Sequence, residues 1–378
     1  MTVGSTPRRA TPADPMPGTS VDRSIPSPKR RNLPPELGPD AIAILEGRTF
    51  LYSDAVGDVA RGSIGGLVHA DTRFLNHWLL TVDGERLLAL RSGTVDHYSA
   101  AFFLTNPRMA SLAPNTIGVR RLRFVGDGLH ERIEVSSFSE QPIRVELRLA
   151  VGNDFADLFE VKDFVRDRSA EIRHDHASDG SRLAFRYANQ GFEAETVVEV
   201  SPPANHVEGD DLVWDLDLPP RGEWACDLHV PLRLGPMAIE PLHQDFGDVF
   251  APEGSDSVSH WLAQIPHLEA DSHLLSEVVA KTARDLLALR IAARTETEDI
   301  LLPAAGLPWF LTLFGRDTLI TAYQTVAFGP RVARGALVAL ARFQGTKRDD
   351  FRDEEPGKIL HELRTGELTQ LGLKPHSP

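Results

Sequence analysis

The sequence predicts a multidomain chain, with an antiparallel β-rich domain followed by a helical one. Three observations carry that reading. Apolar residues repeat with a period of two over roughly residues 40–250. The period changes to that of a helix near about residue 255. A proline-rich stretch without either period precedes both.

That first stretch covers residues 1–39 and holds nine of the 27 prolines, mixed with Ser, Thr and Arg. Its composition buries too little apolar surface to offset the entropy of ordering, so a disordered tail is expected. Lys29–Arg31 reads as a solvated charge run. No apolar stretch follows Arg8-Arg9, so neither a secretory nor a twin-arginine signal is expected.

Residues 40–255 read as a β-sandwich. Asp83-Gly84 lies between short apolar runs, a strong hairpin signal. "RVELRLAV" alternates, with Val145, Leu147, Leu149 and Val151 on one face and Arg144, Glu146 and Arg148 on the other. "LHERIEV" and "AETVVEV" behave similarly. "LVWDLDL" aligns Leu212, Trp214, Leu216 and Leu218 before Pro219-Pro220 breaks the run. Many short strands at this spacing point to packed antiparallel sheets. "GSIGGLVHADTRF" lacks both GxGxxG and a P-loop lysine, so it reads as a turn or loop, not a phosphate cradle. Cys226, in the alternating "GEWACDLHVPL", reads as a small buried strand residue rather than a reactive thiol. As the only cysteine it rules out an intrachain disulfide framework and gives no support to a cysteine zinc site.

Residues 256–378 read as helical. "SHLLSEVVAKTARDLLAL" aligns Leu275, Val278, Val279, Leu286 and Leu289. "RVARGALVALARFQ" aligns Val332, Leu337, Leu340 and Phe343. Between them, Thr318–Ala327 predicts a short helix that Gly329-Pro330 ends.

The formal net charge of −14 argues against a nucleic-acid partner, which would need Lys and Arg to neutralise phosphates. A neutral or cationic ligand fits better. No apolar run is long enough to span a membrane, and a cytoplasmic protein is expected, with no metal or cofactor.

Two stretches carry chemistry. In "GLPWFLTLFGRDTL", aromatic residues run directly into Arg316-Asp317. Asp317 can serve as the N-cap of a helix starting at Thr318. The pair can also hold sugar hydroxyls beside a wall of Trp309, Phe310 and Phe314, whose faces suit the apolar faces of a pyranose. In "DEEPGKILHELRTGEL", His361-Glu362 suggests HExxH, but Thr365 occupies the second histidine position and zinc chemistry fails. What remains is a dense set of His361, Glu362, Arg364 and Glu367, either an exposed helical face with mutual ion pairs or part of a site.

"AGLPWFLTLFGRDTL", "LARFQGTKRDDFRDEEPGKILHELRTGEL" and the β-rich segment before them resemble bacterial glycogen-debranching-type, amylo-alpha-1,6-glucosidase-like proteins. The resemblance spans roughly residues 40–378. It implies a β-sandwich followed by an (α/α)6 toroid similar to those of glucoamylase and mannosylglycerate hydrolase. It further implies that Arg316 and Asp317 hold the non-reducing sugar at the −1 subsite and that Trp309 and Phe310 line it. His361, Glu362 and Arg364 would lie on a loop at the same mouth. An inverting glycosidase needs an acid and a base roughly 6.5–9.5 Å apart. The resemblance places the acid in a "YYGTVD"-like segment just beyond the second motif and the base further on, both past residue 378. The expectation is therefore the N-terminal portion of a glycoside hydrolase acting on alpha-glucans. It would have a truncated (α/α)6 toroid, be inactive alone, and expose helical faces that suit a separately encoded C-terminal half. The alternative is a non-catalytic carbohydrate-binding or interaction protein built on the β-sandwich. Fold alone does not fix the bond cleaved.

Overall fold

The computed structural model describes residues 38–126, 128–166, 168, 170–239, 246, 263, 265–266, 271–294 and 299–375. All but the last two residues of the tail expected over 1–39, and the expected domain boundary near residue 255, lie outside the described residues.

Among the described residues, three antiparallel sheets build the β-rich part. The largest has nine strands. Its continuous order runs Arg173–His176, Arg182–Asn189, Phe192–Ser201, Glu223–Leu234, Gly128–Ser137, Ile117–Gly126, Ser99–Thr105 and Leu88–Asp96, with Met237–Ile239 added beside Glu223–Leu234. A five-stranded sheet orders His206–Glu208, Asp211–Leu218, Ile143–Gly152, His77–Val82 and Glu85–Arg86. The other five-stranded sheet orders Ile42–Glu46, Thr49–Ser53, Gly66–His69, Thr72–Leu75 and Ala156–Asp157.

The period of two explains the packing. Val145, Leu147 and Leu149 point inward from one sheet, Ile133 and Val135 from another, and all belong to one apolar core. Removing each such side chain from water contributes about 1.5–3 kcal/mol. Cys226 lies in that core, where burial pushes its thiol up to about 12. The Asp83-Gly84 turn has both residues at positive φ, 47° and 78°, as a tight hairpin turn requires.

One inward row breaks the apolar rule. Leu129, Glu131, Ile133 and Val135 share a face, so Glu131 enters the core. There it meets Arg121 (Nε–Oε1 2.5 Å), Arg123 (Nη2–Oε2 2.7 Å) and the indole of Trp78 (Nε1–Oε2 2.8 Å). Burial alone would raise the Glu131 pKa, but the two guanidinium groups outweigh it and hold it below the usual carboxylate range.

"GSIGGLVHADTRF" is not a plain loop. Its second half forms the hairpin Gly66–His69 and Thr72–Leu75 around Ala70-Asp71, both left-handed at φ 49° and 67°. The glycine-rich start hid the strand signal.

The C-terminal part holds the helix His273–Ala288, the hairpin Arg290–Arg294 with Asp299–Pro303, and the helices Gly315–Gln324 and Arg331–Arg342. The first helix buries Ala283, Leu287 and Ala288 and leaves Leu275 and Val278 exposed, unlike the face its periodicity predicts. Ala288 joins Ile291 and Leu302 in a second apolar cluster, so burial follows contact at the helix's C-terminal end. Arg331–Arg342 buries Gly335, Ala336, Ala339 and Leu340, but Leu337 stays exposed. The second cluster also includes Leu45, Phe50, Val68 and Leu158 from the β-rich part, which joins the two parts of the chain. No helix among the described residues is long and apolar enough to cross a membrane.

Candidate functional site

The two chemistry-bearing stretches lie side by side. Phe314 and Glu362 form an antiparallel bridge. Gly315 N donates to His361 O at 3.1 Å, and Leu363 N donates to Leu313 O at 2.9 Å. The approach needs glycine at 315, since a Cβ there would come within 2.1 Å of Leu360 O. This contact also sets the helix start. The helix runs Gly315–Gln324 with Phe314 as its N-cap, so Asp317 sits within the first turn and does not cap a helix starting at Thr318. An acidic residue there still suits the helix dipole. Gly329, at φ 114°, closes the following 3-10 turn Val326–Phe328 where the Gly-Pro signal predicted an end.

Beside this seam lies a crevice of about 490 Å³, with Arg316, Leu319, Phe343, Glu354, Lys358 and His361 in its walls. Phe310 and Phe314 meet edge to face at 5.8 Å, and Phe314 meets the His361 ring the same way at 5.9 Å. Arg316 and Asp317 are 3.9 Å apart, with side chains 76% and 43% exposed. Trp309 lies to one side, with the Lys162 ammonium 5.9 Å from its ring centroid.

Arg364 occupies a different environment. It is buried, and its guanidinium donates to Asp71 Oδ1 (2.9 Å), Glu362 Oε2 (2.7 Å) and Trp309 O (2.8 Å). Burial would lower its pKa, but Asp71 and Glu362 outweigh that and raise it. Its guanidinium carbon is 5.0 Å from the Phe159 ring centroid and 5.5 Å from that of Phe314. Glu362 thus spends Oε2 on Arg364. Residues 361–366 are not an exposed helical face: they form an extended strap, and the short helix begins only at Glu367.

The strap fastens to the β-rich part. Thr365 N donates to Asp71 Oδ2 at 2.9 Å, and Leu368 N donates to Asp157 Oδ2 at 3.1 Å. Glu367 is fully buried; it accepts from Tyr187 Oη at 2.8 Å and Asn189 Nδ2 at 2.6 Å, and pairs with Arg166. Burial pushes Asp157 up to about 7 despite backbone donors from Phe159 and Leu368.

Of the residues read from sequence, Arg316 and His361 share the crevice, Phe310 lies outside its walls and meets Phe314 edge to face, and Asp317 flanks Arg316 on the helix. Trp309, Glu362 and Arg364 converge on the buried side of the seam. Sequence reading missed Asp71, Asp157 and Glu354. Asp157 carried a signal: with Glu160 it forms a capping box on the helix Leu158–Lys162. Among the described residues, no cluster of three or more His, Cys, Asp or Glu is arranged to hold a metal.

Comparisons with known proteins agree with the β-rich part. Residues 44–229 match the family model for the N-terminal domain of (some) glycogen debranching enzymes. A solved structure assigned as a kojibiose phosphorylase, from the human microbiome, superposes over 81% of this chain with TM-score 0.52 at 9% identity. The chain spans 47% of that protein's length. An assigned aldose 1-epimerase from Escherichia coli K12 aligns over 51% of this chain and 99% of its own, with TM-score 0.33 at 9% identity. No curated protein matches the sequence.

Proposed function

We propose that this chain supplies the sugar-holding wall of a cytoplasmic glycoside hydrolase acting on alpha-glucans, with part of an (α/α)6 toroid built against its β-sandwich. The observation that carries the reading is a crevice walled by Phe343, Arg316 and His361, with Phe314 packed edge to face behind the His361 ring and Phe310 against Phe314. Aromatic edges and faces suit the C–H surface of a pyranose, and exposed charged groups suit its hydroxyls. The match of residues 44–229 to a glycogen debranching N-terminal domain supports a glucan as the ligand.

In this reading Arg316 and Asp317 bind the terminal sugar, and His361 closes the rim. Trp309, Glu362 and Arg364 shape the wall from behind. The catalytic acid and base belong to sequence beyond residue 378. Exposed Ile320, Tyr323 and Leu337 then suit the remaining helices, whether in one chain or in a separately encoded half.

The test compares this chain with a version extended through the downstream coding sequence. Isomaltose-type and limit-dextrin substrates are assayed for binding and hydrolysis. Binding by both forms with hydrolysis only by the longer one is expected. Turnover by this chain, abolished by Asp317→Asn or Glu362→Gln, would place the chemistry here instead. Binding without turnover in either form would favour a carbohydrate-binding protein.

A further inference from the structure

Glu354 is the crevice residue whose chemistry the proposed function leaves unused. Its backbone is fixed by reciprocal hydrogen bonds with Asp349, 3.1 Å from Glu354 N to Asp349 O and 3.0 Å from Asp349 N to Glu354 O. Its Oε1 accepts from Thr346 N at 2.9 Å and Lys347 N at 3.3 Å. Gly345 permits this close packing, because a Cβ there would meet Glu355 O at 2.4 Å and Glu354 Cγ at 2.9 Å. The carboxylate is therefore held in place before any ligand arrives.

Its second oxygen is different. Glu354 is only 6% exposed, yet Oε2 has no hydrogen-bond partner among the described residues. Leaving a buried acceptor unmatched costs more than an ordinary hydrogen bond gains. Glu354 lies in the crevice wall, so a ligand that opens a path to Oε2 and brings a donor would remove that penalty. The surrounding charges bear on the donor's chemistry. Arg316, Arg352 and Lys358 share these walls with Asp353 and Glu354. With Lys358 paired to Asp353 and Arg352 to Asp349, these charges largely offset one another and select neither an ammonium nor an anion. A neutral hydroxyl fits that balance.

Resting on the glucan reading above, we propose that Glu354 Oε2 accepts a hydrogen bond from a hydroxyl of the bound sugar. Glu354 is then a specificity-determining residue of the crevice. Because Oε1 is already committed to two amides, the ligand contact is confined to Oε2, so the site discriminates among sugars by the position of the hydroxyl that reaches it.

The test titrates the full 378-residue chain with maltotriose and isomaltose by calorimetry. Glu354→Gln keeps an oxygen for the Thr346 and Lys347 amides and places a donor where Oε2 stood. A loss of affinity of about ten-fold or more, with the melting temperature unchanged, is expected. If the variant fails to fold, monodeoxy maltosides on the unaltered chain read the same contact. One analogue weakened about ten-fold supports the proposal, and a series of equal affinities overturns it. Binding that Arg316→Ala weakens but Glu354→Gln leaves intact would overturn this inference while the glucan reading stands. Failure of the unaltered chain to bind either sugar would remove both.

Discussion

Arg364 and Asp71 lie 293 positions apart in sequence and 2.9 Å apart in space. Their pairing turns "LHELRTGEL" into a clamp between the helical segment and the β-rich part. Thr365, Glu367 and Leu368 extend it to Asp71, Tyr187 and Asp157. The crevice gets its shape from this clamp, because the strap that holds Arg364 on one side presents His361 on the other.

Truncating Arg364 should therefore be costly. Arg364→Ala leaves buried Asp71 without its charged partner and frees Glu362. A loss of about 3–5 kcal/mol is expected in urea denaturation. Arg364→Lys should recover only part of it, since one ammonium cannot reproduce the fork that reaches Asp71, Glu362 and Trp309 O. Wild-type stability in the alanine variant would mean the clamp is incidental.

Gly366→Ala tests the same clamp by sterics. A Cβ at Gly366 would fall 2.1 Å from Asp157 Oδ2 and 2.9 Å from Asp157 Cγ. The buried Asp157 has little room to retreat, so a loss of about 1–3 kcal/mol is expected by thermal unfolding. An unchanged melting temperature would show that the strap moves freely.

His97 gives the fold a basic-side pH dependence. Burial would depress its pKa, but hydrogen bonds to Asp96 and Glu46, each 2.8 Å, outweigh that and raise it to about 9. The folded state therefore holds this proton more tightly than the unfolded chain, where histidine titrates near about 6.5. The stabilisation is complete below about pH 6.5 and is lost as pH rises through about 9. Denaturation across that window should show a slope of up to about 1.4 kcal/mol per pH unit, flattened in His97→Gln. Equal slopes in both proteins would contradict the assignment.

Arg316 and Glu131 should behave oppositely. Arg316 is 76% exposed at its side chain, so Arg316→Ala should shift stability by no more than about 0.5 kcal/mol while weakening sugar binding. Glu131→Ala strands Arg123 inside the core, leaves Arg121 with Asp58 alone, and should cost about 3–5 kcal/mol. Parallel chemical denaturation of the two variants separates a surface role from a core role.

The β-rich part was legible because its code is local. Alternation places Val145, Leu147 and Leu149 inward without reference to any distant residue. The same rule placed Glu131 inward, but it names no partner, and Arg121 and Arg123 reach it only through strand pairing. The helix at Arg316 was displaced because its start depends on a backbone bond to His361, far along the chain. The resemblance puts Arg364 on a loop at the mouth, while the carboxylate that buries it sits in a hairpin turn near the other end of the sequence. Glu354 carried no sequence signal, since its character comes from which of its oxygens is left without a donor.

The separation between Asp71 and Arg364 also governs how the chain is born. The last strand of the β-rich part ends at Ile239, so at about 5–20 residues per second the chain as far as Arg364 takes on the order of 6–25 s more. Strands need far less time than that to pair. A nascent β-domain thus waits on the ribosome with the carboxylates of Asp71 and Asp157 and the hydroxyl of Tyr187 facing an empty socket. Until the strap emerges, water must satisfy those polar groups in its place.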